Sequence, residues 1–202
     1  MEDAVEQTTG VTGSGAAPRH PELVAVARAL TASADYGSLA LWSGRVAHGL
    51  RFTTRRLDGT PNPAAAQKPT SLGSVDLRKK PAANLDAAWP VAAVDRLVLL
   101  APLAIGRLLI DGDQACRFQF CGPVAGQTRW VSVAFGGWVA AVPAADTARL
   151  TEHFADRHPT GDLFDLGERW AMLEIDVVEA FVRTEHSGTR LDTGDARSLL
   201  AS

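Results

Sequence analysis

The chain has 202 residues, with little cysteine and no long hydrophobic run. Two cysteines, Cys116 and Cys121, are too few for a disulfide framework, and their spacing matches no zinc motif, so we expect two reduced thiols. No apolar run reaches the roughly 18–20 residues that a membrane helix needs. The acidic first residues lack the apolar segment of a secretory signal. We therefore expect a cytoplasmic protein without a membrane partner.

The chain also lacks a strong excess of charge of either sign. Its 20 basic and 23 acidic residues give a net charge of −3, which gives no indication of a nucleic-acid partner. Length and composition are those of one globular domain. We expect a disordered tail at residues 1–17, a single domain at 18–186 and a polar C-terminal tail at 187–202.

Positive charge is nevertheless concentrated in one part of the chain. From Arg45 to Lys80 there are eight basic residues against two acids. A small positive zone on a mildly acidic protein suits a compact anionic ligand, such as a phosphate, better than a long polyanion. The alternative is a solvated loop whose basic residues only keep it soluble.

The hydrophobic pattern predicts many short strands and few helices. Helical periodicity is clear at residues 21–33 and 146–157, and a third helix is possible at 76–88. Between them lie six to eight short strands joined mostly as hairpins, which would leave bare edges unless the sheet closed. The sequence therefore predicts an α+β fold, a small antiparallel split β-barrel with two or three flanking helices.

Several local expectations follow from the same pattern. Gly136 and Gly137 are typical of a turn that ends one strand and starts another. Residues 169–175 and 179–184 are expected as two strands, and residues 107–110 as the first strand of a hairpin. His48 should share the apolar face of its strand with Leu50 and Phe52. Tryptophans on predicted strands are expected in the core, namely Trp130, Trp138 and Trp170, whereas Trp42 and Trp89 are better placed to stack on a flat ring or to fill a subunit contact.

The basic zone contains the residue types that bind a phosphate. Arg51 and Thr53 share one face of a predicted strand, so a guanidinium and a hydroxyl can act together. Ser74, Arg78 and Lys79 lie at a predicted helix start, where backbone N–H groups favour an anion. Residues 58–74 between these two groups contain three prolines and are predicted to be a loop.

The stretch "LRFTT … GSVDLRKKPAANLDAAWP … DRLVLL" resembles the pyridoxamine-phosphate-oxidase-like family, the FMN-binding split barrels. In that family a strand ending in aromatic-x-Thr precedes a Ser-x-Lys/Arg element and a helix, and an Arg-x-Val strand follows. The segments "WVAAVPAADTARLTEHFADRHP" and "RWAMLEIDVVEAFVR" are similar to its late helix and closing strand. The resemblance touches residues 22–100 and 131–183.

This resemblance implies a homodimer with FMN at the interface and a small-molecule substrate, and hence an FMN-dependent oxidoreductase. It implies that Arg51 and Thr54 contact the flavin phosphate or ribityl chain. It implies that the phosphate clamp is completed by Ser74 with Arg78 or Lys79, and that Trp89 and Arg96 lie near the contribution of the second subunit. No catalytic acid or base is implied, because the flavin itself supplies the chemistry.

Two other functions are weighed against this one. The chain could be a non-catalytic barrel, an interaction or assembly subunit whose basic loop contacts an acidic partner. The run "DGTPNP" at 58–63 also resembles a motif of dye-decolourising heme peroxidases, although Asp-Gly and Asn-Pro are common turn dipeptides. His153 and His158 are five residues apart, which does not place two metal ligands on one side of a helix, so no metal site is predicted.

Overall fold

The computed structural model describes residues 20–55, 96–123, 130–185 and 187–200. The expected tail at 1–17, the loop at 58–74 and the helix at 76–88 lie outside these ranges. None of the helices within them is both long enough and apolar enough to span a membrane.

Within these ranges the chain forms seven strands and four α-helices. In chain order they are α1 (His20–Ser33), β1 (Tyr36–Leu41), β2 (Val46–Arg55), β3 (Arg96–Pro102), α2 (Leu103–Arg107), β4 (Gln114–Pro123), β5 (Trp130–Ala141), α3 (Ala144–Arg157), β6 (Trp170–Arg183), β7 (Gly188–Leu191) and α4 (Thr193–Ser198). A short 3₁₀ helix, Gly161–Asp165, joins α3 to β6.

The first six strands close into an antiparallel barrel. The strand order is β3-β2-β1-β4-β5-β6, and β3 pairs again with β6 to complete the ring. The short strand β7 pairs with residues 180–183 of β6. These residues lie beyond residues 170–175 of β6, which pair with β3. The predicted fold class, a small antiparallel α+β barrel with flanking helices, is confirmed.

Aromatic side chains fill the centre of the barrel. Phe52, Phe118 and Phe135 are fully buried, and the ring of Phe120 stacks on that of Phe52 with their centroids 4.9 Å apart. Inward residues of β3 and β6 complete this core, to which α1 and α4 also contribute. The barrel centre therefore holds packed side chains, and a ligand would have to bind outside it.

Helix α3 covers one outer wall of the barrel. Leu150 and Phe154 on its buried face pack against Val98 and Leu100, which point outward from β3. This helix is amphipathic because its apolar side chains recur at a spacing of four residues. The wall built from β1, β4, β5 and the end of β6 carries exposed apolar residues instead, including Trp42 and Phe181.

Side chains from α3 complete the free edge of β2. The pairing of β1 with β2 ends where Tyr36 lies opposite Arg51, so the residues of β2 after Arg51 have no partner strand on that side. The carbonyl groups of Phe52 and Thr54 point to this side, away from β3. His158 Nε2 lies 2.7 Å from the Phe52 oxygen, and His153 Nε2 lies 3.0 Å from the Thr54 oxygen. Because a carbonyl oxygen only accepts, both Nε2 atoms carry the proton. These histidines are structural donors.

A second gap lies on β6, between the residues that pair with β3 and those that pair with β7. Here Arg197 Nε donates to the Val177 oxygen over 3.0 Å, and Thr193 Oγ1 donates to the Val178 oxygen over 2.5 Å. Arg197 also forms an ion pair with Asp176 at 2.8 Å. Helix α4 thus supplies the hydrogen bonds that a neighbouring strand would otherwise make.

The C-terminal residues differ from their prediction. Residues 187–200 were expected to belong to a polar tail, but β7 and α4 lie here, and Leu191, Leu199 and Leu200 are buried in the barrel core. The pattern was missed because the apolar residues are few and widely spaced. The core therefore extends past residue 186, where the sequence analysis ended the domain.

The predicted turn at Gly136 and Gly137 is wrong. Both residues lie within the continuous strand β5. A Cβ atom on Gly137 would stand 2.1 Å from the Asp176 oxygen, so glycine is needed for close approach of two backbones. Residues 169–175 and 179–184 likewise belong mostly to one strand, β6, whose register against β5 shifts between Gly136 and Gly137.

Other local predictions are also corrected. His48 does not share the apolar face of Leu50 and Phe52; it is exposed and forms a hydrogen bond with Ser38. The reason is a bulge in β2 near Gly49, whose φ is +65°, which changes the alternation of side chains between the two faces of the strand. Trp130 is not in the core. Alternate side chains of a strand point to opposite faces, and that of Trp130 points outward from β5 and is 56% exposed. The segment after Pro102 forms α2 and a turn, so residues 107–110 are not a strand.

Removing the Arg197 side chain should destabilise the barrel. We expect Arg197→Ala to lower the free energy of unfolding by about 1–2 kcal/mol, because the Val177 carbonyl loses its charged donor at a partly buried site. Urea unfolding followed by circular dichroism measures the change.

The matched control is Arg169→Ala, which removes an arginine that is 75% exposed and forms an exposed ion pair with Asp165. This variant should change stability by less than about 0.5 kcal/mol. Equal effects of the two substitutions would contradict the role given to α4.

Candidate functional site

Arg51, the first residue of the predicted phosphate clamp, is already engaged. Its Nη1 atom lies 2.8 Å from both the Thr160 hydroxyl and the Asp162 carboxylate, and its guanidinium stands over the Tyr36 ring. Hydrogen bonding with Tyr36, followed by Asp162, raises the pKa of Arg51 above its ordinary value. This arginine joins the segment after α3 to β2.

Thr53 and Thr54 point to opposite sides of β2. Thr53 lies opposite Val98 on the wall under α3 and is buried, whereas Thr54 lies opposite Leu97, which faces the barrel core. The sequence analysis placed Arg51 and Thr53 on one face of the strand, and the register shows them there. One strand therefore cannot present both threonines to one phosphate.

Arg96 belongs to a charged cluster at the ends of β2 and β3. It is the direct cross-strand partner of Arg55, and both donate to Glu174: Arg55 over 2.5 Å and Arg96 over 2.9 Å. Arg55 and Glu174 are nearly buried. The Nε atoms of both arginines are buried without a hydrogen-bond partner. The cluster holds adjoining strand ends together and leaves the carboxylate fully paired.

The remaining predicted site residues, Ser74, Arg78, Lys79 and Trp89, lie outside the described residues, as does Asp58 of the peroxidase-like run. Their roles stay predictions. The four members that the structure places, Arg51, Thr53, Thr54 and Arg96, line neither of two cavities found in the described part of the chain.

The larger cavity is a groove on the exposed outer wall, with a volume of about 670 Å³. Three of its lining residues are small, Ala40 on β1 and Ala134 and Gly136 on β5, and Arg117 of β4 lies between Ala40 and Gly136 in the same cross-strand row. Trp42 and Phe181 stand at its rim, and they are 65% and 40% exposed. Bare backbone beside aromatic side chains offers a flat apolar surface.

Charged residues flank the centre of this floor. Arg117 on β4 and Glu179 on β6 are the two cross-strand partners of Gly136. Strands lie about 4.8 Å apart, so the two charged residues start roughly 10 Å from each other with only glycine between them. The side chain of Glu179 lies over Gly136, with its Cγ atom 2.9 Å from the position that an added Cβ would take, and Arg117 lies on the other side of this glycine.

Arg190 on β7 adds a second cation to the same rim. Its Nε atom donates to Glu179 Oε2 over 2.8 Å, whereas Arg117 has no ion pair within the described ranges. Two arginines and one glutamate leave the groove with a net positive charge. Such a rim favours an anionic group at one end of a flat ligand.

The cysteines differ sharply in their surroundings. Cys116 packs against the barrel core, and its burial raises the pKa of the thiol to about 12. Cys121 is exposed. Because the two are an odd number of residues apart on β4, their side chains leave opposite faces of the strand, and they cannot pair with each other. Cys116 is therefore a neutral thiol near neutral pH.

Metal binding finds no support in the described residues, among which no three His, Cys, Asp or Glu side chains converge. The groove-lining residues in these ranges include no histidine. The side chains available for binding there are arginine, glutamate and aromatic groups. These suit hydrogen bonding, ion pairing and stacking.

Trp42, which the sequence predicts to stack on a flat ring or to fill a subunit contact, lines this groove, whereas its charged residues were not predicted. Arg117, Glu179 and Arg190 come from three strands, and no local motif joins them. The nearest available signal was Gly136, whose missing side chain was interpreted as a turn. The small residues Ala40 and Ala134 become informative only when the register aligns them.

Comparisons with known proteins identify a shared fold. No protein-family model matches the chain, and no curated protein matches it. One solved structure aligns over 88% of this chain and 97% of its own, with a TM-score of 0.52 and 13% identity. A heme-binding protein from Mycobacterium smegmatis aligns over 90% of this chain with a TM-score of 0.54 and 13% identity. This chain covers 62% of that protein's length.

Thiol labelling should separate the two cysteines. At pH 8 we expect Ellman's reagent to modify Cys121 rapidly and Cys116 only after unfolding, because the Cys116 thiol is buried and its pKa is about 12. The measurement is the number of thiols modified before and after adding guanidinium chloride. Rapid labelling of native Cys121→Ser would contradict the burial of Cys116.

Proposed function

We propose that this protein binds FMN in the groove on its outer wall and acts as a flavin-dependent oxidoreductase on a small-molecule substrate. The observation that carries this proposal is the groove itself, whose lining combines small and aromatic residues with three charged ones, Arg117, Glu179 and Arg190. A flat ring with an anionic tail is the ligand that such a groove suits.

The groove residues fit the parts of FMN one by one. Ala134 leaves room for a planar ring against the sheet, and Trp42 is exposed in the same groove for stacking. Arg117, unpaired within the described ranges, can bind the phosphate with a bidentate guanidinium. When bound, the flavin supplies hydride transfer, and the chain's own residues hold and orient it.

Two further considerations support a planar cofactor. The chain resembles the pyridoxamine-phosphate-oxidase-like family, whose members bind FMN. The fold is shared with a heme-binding protein, and heme is also planar with anionic groups. FMN fits this wall better, because heme iron needs a ligand atom, and the described lining offers no histidine while the Cys116 thiol stays protonated.

Filling the floor of the groove should abolish FMN binding. We expect wild-type protein to quench FMN fluorescence on titration, and Ala134→Leu to lose at least about tenfold in affinity, since the new side chain occupies the ring's place. Ser132→Leu changes the same outer face of β5 two residues away, outside the groove lining, and should bind FMN like wild type. Absence of FMN binding by wild-type protein would refute the proposal.

The phosphate contact can be located by comparing two variants. Arg117→Ala should weaken FMN by about tenfold and leave riboflavin unchanged, because only FMN has the phosphate. The double variant Arg51→Ala with Lys79→Ala tests the clamp predicted from the sequence. Loss of FMN binding in the double variant but not in Arg117→Ala would move the phosphate to that clamp.

The same wall supports a second candidate function, self-association, as expected for a split-barrel homodimer or an assembly subunit. Trp42 and Val46 are both more than half exposed beside the groove, and apolar surface of this kind is often covered by a partner. A second copy of the chain would also shield a ring bound in the groove.

Sedimentation velocity tests this interface. We expect wild-type protein to be dimeric and Trp42→Arg to be monomeric, because a charge would be buried in the contact. Phe164→Arg is the control: Phe164 is 93% exposed on the 3₁₀ helix, away from the groove lining, and its variant should remain dimeric. A monomeric wild-type protein, or a dimeric Trp42→Arg, would rule out this wall as the interface.

A further inference from the structure

Glu179 has an unusual position over the floor of the groove. Its Oε1 atom lies 3.0 Å from the position that a Cβ on Gly136 would take, so the carboxylate leans across the bare backbone of β5. Its Oε2 atom accepts from Arg190 Nε over 2.8 Å. One oxygen is therefore held by Arg190, while the other faces the floor of the groove.

The pair is held in place from two strands. Glu179 on β6 lies in the cross-strand row of Gly136, and Arg190 on β7 lies in the neighbouring row, opposite Phe181. Both side chains line the groove. The side chain of Glu179 is 28% exposed, so its carboxylate is partly enclosed but reachable by a ligand that lies in the groove beside Gly136.

This arrangement offers hydrogen-bonding groups of both kinds at one edge of the floor. A carboxylate only accepts hydrogen bonds, and a guanidinium only donates them. Glu179 keeps one oxygen with no hydrogen bond in the described structure, and Arg190 keeps the N–H groups that its bond to Glu179 does not use. A ligand edge that presents an N–H beside a C=O would satisfy both residues.

We propose that Glu179 and Arg190 are specificity-determining residues that recognise the imide edge of a planar ring, in which one N–H lies between two C=O groups. Glu179 accepts from the N–H, and Arg190 donates to a neighbouring C=O. In this orientation the ribityl phosphate, which leaves the middle ring of the flavin, extends toward Arg117. The inference rests on the proposed function, since FMN carries such an edge on its ring.

Recognition of an N–H is tested by blocking it. The probe is FMN methylated at the imide nitrogen, which keeps the planar ring, both carbonyl groups and the phosphate. We expect the wild-type protein to bind FMN about tenfold or more tightly than the methylated compound, because methylation removes the donor and leaves the Glu179 carboxylate unpaired against the ring. Fluorescence titration of both ligands gives the ratio of dissociation constants.

Glu179→Ala assigns the discrimination to this residue. This variant should bind both compounds with nearly equal affinity, because no carboxylate remains to accept a hydrogen bond from the imide N–H group. The matched control, Glu168→Ala, removes an exposed carboxylate from the turn before β6 and should keep the wild-type ratio. Thermal unfolding of each variant checks that it is folded, and the ratio of two ligands on one variant cancels any loss of active protein.

The outcomes separate this inference from the proposed function. Equal wild-type affinity for FMN and the methylated compound would overturn the imide assignment while leaving FMN binding established. Full discrimination in Glu179→Ala would overturn the role of Glu179. Absence of any FMN binding by wild-type protein would overturn both, and binding that is lost in Ala134→Leu would keep the groove as the site.

Discussion

The hydrogen bonding of peptide groups at two open edges of the barrel decides the placement of its later helices. The end of β2 extends beyond β1, and β6 has a gap between its two partner strands. Carbonyl groups at both places would be buried without donors, which costs more than a missing surface bond. Histidines of α3 satisfy the first edge, and Arg197 with Thr193 of α4 satisfies the second.

This arrangement determines where a ligand can bind. Four phenylalanines occupy the barrel centre, and α3 covers one outer wall. The remaining described wall carries the groove. Its floor includes one cross-strand row of the sheet, in which Ala40, Arg117, Gly136 and Glu179 lie side by side. Small residues there leave room, and the charged residues between and beside them can hold the ends of a ligand.

The barrel class was predictable because alternating apolar residues and hairpin turns recur along the chain. Local details failed where tertiary contacts overrule local pattern. Gly137 looks like a turn residue, but it is required by the close approach of the β6 backbone. His48 left its expected face because a bulge shifts the register of β2. The candidate phosphate residues are near in sequence, yet Thr54 lies on the core side of β2, whereas Arg51 and Thr53 lie on its outer face.

The sequence by itself determined the class of fold, the presence of α3 and the separation of the two thiols, because each depends on a periodicity within one segment. Tertiary structure alone decided which strands are neighbours, and hence which small residues share a floor and which charges flank it. Arg117, Glu179 and Arg190 are up to 73 positions apart, and only the register of four strands brings them to one groove. The periodicity of side chains within a strand determines which face of the sheet a residue occupies. The pairing between distant strands determines which residues lie beside it on that face.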